Sequence, residues 1–132
     1  MTTDERIEKL ERELAALRAE LAERVRTRAV EIVDDAGKPR ARLAVGEDGP
    51  RLTLRDENGK PRARLAVGED GPRLDLFNEK DKSSVGLGVI ESGPRLDLSD
   101  ANDKTRARLD VGEDGPRLSL CNEKGKPIWQ AP

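Results

Sequence analysis

The sixteen residues GKPRARLAVGEDGPRL occupy positions 37–52 and recur unchanged at 59–74, an offset of 22 residues. Identical text at a fixed offset marks a repeated structural unit, and it restricts the fold to units that stack on copies of themselves. The units run over 29–50, 51–72, 73–94, 95–116 and, shortened, 117–132. Their first halves align Leu52 and Leu54 with Leu74 and Leu76, Leu96 and Leu98, and Leu118 and Leu120. Their second halves align Leu43 and Val45 with Leu65 and Val67, Leu87 and Val89, and Leu109 and Val111. Arg40, Arg42, Arg62, Arg64, Arg106 and Arg108 stand between the apolar positions. Period two with one apolar face predicts two half-buried strands per unit, nine or ten in all.

Turn chemistry fits this pattern. A two-residue hairpin at Asn58-Gly59 pairs Leu52 with Leu65 and Leu54 with Ala63. A two-residue loop at Asp48-Gly49 pairs Val45 with Leu52 and Leu43 with Leu54, so apolar again meets apolar. Pro50 lacks the N–H that closes a tight turn, which predicts a wider connection at GEDGP, either a hairpin or a corner between faces.

A single layer of such strands leaves its apolar face uncovered. Charged residues make up 39% of the chain and hydrophobic ones 34%, with one Phe, one Trp and no Tyr, too few large side chains for a closed core. The uniform columns mark no strand as belonging to a second layer, so the expected cover is other copies of the same chain.

The region before the repeats supplies a means of bringing copies together. Residues 4 to about 27 read as a helix, with Ile7, Leu10, Leu14, Leu17 and Leu21 at alternating spacings of three and four. Thr2 and Glu5 form a capping-box pattern, and Asp4 and Glu5 suit the helix N-terminus. The heptad breaks at Arg24, just before the repeats. The segment RIEKLE at 6–11 resembles the trimerisation pattern of coiled coils, with Arg6 reaching Glu11 of a neighbouring helix around Ile7 and Leu10. The division expected is a trimerisation helix over 1–28 and a β-repeat shaft over 29–132. Trp129 falls in the column of Ala41, Ala63 and Ala107, where three rings would plug the open end of a trimer.

The units DENGKPRARLAVGEDGPRLTL and the ending GKPIWQAP resemble those of uncharacterised bacterial proteins with an N-terminal coiled coil, tandem 22-residue hairpin units and a closing I-W-x-A-P. The resemblance implies no particular activity. The plan is also similar to the trimeric shafts of phage fibres and bacterial surface adhesins, in architecture alone.

Chemistry-bearing residues are sparse. There is no His, which removes histidine-based triads and most zinc sites. Cys121 shares a column, at an outward or turn position, with Val33, Arg55, Phe77 and Ser99 and has no partner base. VGLGVIESG at 85–93 lacks the Lys of a phosphate loop. DENG at 56–59 and DAND at 100–103 do not match a Ca²⁺ loop, and turn chemistry explains them. The third unit departs most from the others: Phe77, Ser83, Ser84, Gly86 and Gly88 form a candidate binding patch, with Gly86 and Gly88 replacing Arg64 and Ala66 of the unit before.

Net charge is −2 with both signs interleaved, so neither nucleic acid nor a membrane is expected as a partner. No apolar run is long enough to span a bilayer and no signal-peptide core follows Met1, which sets the expected compartment as the cytoplasm. The expectation is a mainly β protein with an N-terminal α-helix: a parallel trimeric coiled coil leading into a trimeric β-prism or triple-β-helix-like shaft. It would act as a non-enzymatic, cofactor-free, metal-free spacer or assembly scaffold. The alternative is a module that binds a protein or ligand through the third repeat.

Overall fold

A computed structural model describes residues 1–132. Helix α1 (Thr3–Glu23) comes first. The Thr2 backbone N–H donates to Glu5 Oε2 at 2.7 Å, and the Glu5 N–H donates to Thr2 Oγ1 at 3.2 Å, completing the capping box. The helix stops short of the expected end, because Arg24, where the heptad breaks, is already extended at φ −164° and ψ 151°.

Ten strands follow: β1 (Ala29–Val33), β2 (Pro39–Gly46), β3 (Gly49–Arg55), β4 (Pro61–Gly68), β5 (Gly71–Phe77), β6 (Ser83–Ile90), β7 (Gly93–Ser99), β8 (Thr105–Gly112), β9 (Gly115–Cys121) and β10 (Pro127–Ala131). They form one antiparallel sheet in chain order, β1 to β10. The chain meanders along a single face and does not wrap around three. Helix α1 touches no strand.

The two connection types are the reverse of what the turn dipeptides suggested. Glu47-Asp48 is the tight turn, closed by Gly46 opposite Gly49, so Val45 meets Pro50 and Leu43 meets Leu52. The expected partners of Val45 and Leu43 are displaced by two residues, which preserves the apolar face. Proline is accommodated because Val45 sends its N–H the other way, to Arg28 O at 3.2 Å, so the pair it makes with Pro50 needs no hydrogen bond. Gly49 has φ 114°, and a side chain there would collide with the Val67 carbonyl of the next unit; Gly71 against Val89 and Gly93 against Val111 repeat the arrangement.

The Asn58-Gly59 connection is the wide one, a five-residue loop from Asp56 to Lys60. The Asp56 N–H donates to Lys60 O at 2.9 Å, and Asp56 Oδ1 accepts from the N–H groups of Asn58 at 2.9 Å and Lys60 at 3.0 Å. A bulge between Leu54 and Arg55 absorbs the extra residue, so Leu52 still faces Leu65 and Leu54 still faces Ala63. Loops headed by Asp34, Asn78, Asp100 and Asn122 are built alike.

No hydrophobic side chain is buried within the chain. Of 86 backbone hydrogen bonds, 73 lie inside the helix and strands, so ladders rather than a core hold one copy in shape. The buried residues all lie on the polar face: Thr53, Ser119, Gly86 and Gly88. Arginine side chains lying across that face cover it better than the apolar face is covered.

Candidate functional site

Strand pairing assembles the apolar positions into three columns. The middle one runs Val30, Leu43, Leu52, Leu65, Leu74, Leu87, Leu96, Leu109 and Leu118, each opposite the next. On the loop side stand Leu54, Leu76, Leu98 and Leu120, ending at Trp129 opposite Leu120. On the turn side Val45, Val67, Val89 and Val111 face prolines. The residues expected to form a shaft core therefore share one face, but none is enclosed: Leu43 is 52% exposed and Trp129 49%. Ile7, Leu10, Leu14, Leu17 and Leu21 are likewise exposed along α1, and so are Arg6 and Glu11, which are not paired with each other within one chain.

A contiguous exposed apolar surface of this extent is rare on a protein that stays a monomer. The chain exposes 10530 Å², whereas a compact monomer of 14.5 kDa would expose about 6,900 Å². The excess, about 3,600 Å², reflects a single open sheet and a helix that packs against no strand.

The residues singled out in the third repeat lie together on the opposite, polar face. Arg64 places its guanidinium 5.2 Å from the centre of the Phe77 ring. Ser83 Oγ donates to Asp75 Oδ1 at 3.0 Å, and Arg73 Nε donates to the same oxygen at 2.7 Å. Gly86 sits between Asp75 and Asp97 on the flanking strands, and the space its side chain would fill is taken by the Arg73 guanidinium. Gly88 lies under the Arg73 stem. Asp97 is met from the other side by Arg108 Nε at 2.6 Å. The glycines thus make room for an arginine of the same chain. Sequence reasoning missed Arg73, Asp75, Asp97 and Arg108; the signal was that an arginine column loses its member at Gly86 while acids flank the gap.

Along the loop edge, Arg40, Arg62 and Arg106 lie 3.6, 3.5 and 3.3 Å from Asp34, Asp56 and Asp100. These three carboxyls are held below the usual aspartate range. The N–H groups of Lys38, Lys60 and Lys104 contribute most, against a smaller opposing effect of desolvation; a second loop N–H and the arginine add to the lowering. Their oxygens are already engaged in loop hydrogen bonds and arginine contacts. No helix is long and apolar enough to cross a membrane.

No family model matches the chain, and no curated protein does. The likeness to coiled-coil proteins with tandem hairpin units rests on the helix followed by regular hairpins. Among solved structures, 77% of the chain is similar to a part of S. aureus TarM, a mutant crystallised in complex with fondaparinux, alpha-GlcNAc-glycerol and UDP, at 16% identity and a TM-score of 0.47. The chain spans 23% of that protein. The expectation that the chain is not an enzyme is withdrawn, this neighbour being a glycosyltransferase. At this level of similarity the match carries no argument about what the chain does.

Proposed function

We propose that the chain is a parallel homotrimer acting as a fibrous spacer or assembly scaffold. In this reading α1 sets chain number and register through Ile7, Leu10, Leu14, Leu17 and Leu21, with Arg6 of one helix reaching Glu11 of the next. The three sheets then turn their leucine columns inward as a β-prism. The observation that carries the reading is the continuous exposed apolar face, which a single copy leaves open to water from β1 to β10.

Dimensions favour three copies. Strands of this length span about 25 Å, and a triangle of that side places each mid-strand about 7 Å from the axis, within reach of a leucine. Ten strands stacked at about 4.8 Å give a shaft about 45 Å long, below a helical segment of about 31 Å.

Light scattering tests this directly. Three times 14.5 kDa is the expected mass, and a folded, stable monomer would remove the reading.

A further inference from the structure

The two long edges of the sheet differ in chemistry. One is made of the tight turns, with exposed tips Glu47-Asp48, Glu69-Asp70, Glu91-Ser92 and Glu113-Asp114 and no basic residue among them. The other is made of the five-residue loops, and every lysine after Lys9 lies there, all exposed. With the adjoining Arg40, Arg55, Arg62 and Arg106 the loop edge carries eleven positive and nine negative charges, and with the adjoining Arg51, Arg73, Arg95 and Arg117, the first of them 3.9 Å from Asp48, the tip edge carries seven negative and four positive.

The edges also interlock in height. Tips join β2 to β3, β4 to β5, β6 to β7 and β8 to β9, and loops join the strands between. Each tip is therefore offset from the nearest loops by one strand, about 4.8 Å, and faces the gap between two of them.

We propose that neighbouring copies close tip to loop: the acidic turn edge of one chain lies in the lysine-bearing loop edge of the next. This rests on the parallel assembly proposed above and adds to it the contact that seals each corner. A ring of parallel copies related by rotation about the shaft brings opposite edges together at every corner, a heterologous contact. Antiparallel copies packed face to face would instead set acidic tip against acidic tip, a like-charge arrangement that opposes association. The occupant of the apolar face is thus a second copy in parallel orientation, selected by charge at the rims while leucines fill the interior.

The tip Glu69-Asp70 faces the loops 56–60 and 78–82 of its neighbour. Both tip residues are exposed and have negative φ, so lysine fits there without backbone strain. The test compares the wild type, E69K/D70K, K60E/K80E/K82E and the variant carrying all five changes. The concentration at which each full-length assembly dissociates is read at low salt by light scattering. Each partial variant should dissociate at a concentration about tenfold higher than the wild type, and the five-fold variant should return towards wild-type behaviour. High salt should shrink all the differences. Unchanged partial variants, or a five-fold variant weaker than both, would overturn the tip-to-loop contact. The wild-type mass reports chain number separately: a stable dimer removes the trimer while leaving the edge contact to be judged by the same charge exchange, and a wild-type monomer overturns both.

Discussion

Asp56 and Arg62 face each other at 3.5 Å beside the loop joining β3 and β4, and the repeats keep or lose this pair of charges together. Asp34 goes with Arg40 and Asp100 with Arg106. Where the arginine position holds Ser84 or Ile128, the loop head is Asn78 or Asn122. Asparagine keeps the oxygen that accepts the two loop N–H groups, as Asn78 does from Lys80 at 2.8 Å and Lys82 at 3.2 Å. The carboxylate charge is therefore matched to the arginine, and the turn geometry needs only the oxygen.

This pairing predicts an acid-sensitive loop edge. The folded pKa values of Asp34, Asp56 and Asp100 lie below the ordinary 3.8. The stability they add is thus present above that value and is lost as pH falls through the lower, folded values. Replacing all three with Asn should keep the fold at neutral pH and flatten the decline below about pH 3.8. Denaturant midpoints across the acid range measure it; parallel declines in variant and wild type would refute the assignment.

Two glycines should respond differently to alanine. At Gly71, with φ 103°, a methyl group would meet the Val89 carbonyl, a backbone atom with no freedom to move aside. Gly71→Ala should cost about 1–3 kcal/mol. At Gly86 the obstacle is the Arg73 guanidinium, the far end of a flexible side chain. Gly86→Ala should cost less and loosen the contact between Arg73 and Asp75. Thermal unfolding of both variants decides it, and equal losses would contradict the distinction.

Trp129 is the only tryptophan, so its fluorescence reports on the last strand alone. It is half exposed in one copy and would be covered if three rings cap the shaft. The assembled protein should emit at shorter wavelength than free indole in water and resist acrylamide quenching, and dilution to dissociated chains should abolish both effects. Emission like that of free indole at assembly concentrations would rule out the cap.

Strand positions and faces were legible in the sequence because side chains alternate with period two and the leucine columns repeat every unit. Turn identities were not, because two competing effects outweighed the dipeptide rule. Asp56 closes its loop with a side-chain oxygen, drawing Asn58-Gly59 into a wider connection. Pro50 sits where its partner's hydrogen bonding points elsewhere, so its missing N–H costs nothing. Parity protected the apolar face from the two-residue error at that turn. In the third repeat, the glycine substitutions were visible, but the arginine filling the space comes from the adjacent strand and only the pairing reveals it.

Because each strand pairs only with its neighbours in the chain, inserting one more 22-residue unit would separate one pair of strands, give each an equivalent new neighbour, and leave every other pair intact. Each insertion would lengthen the stack by two strand spacings, about 9.6 Å. The number of units is then a ruler written in the gene, graduated in equal steps, and near-identical tandem text is the kind of template on which recombination can add or remove a graduation.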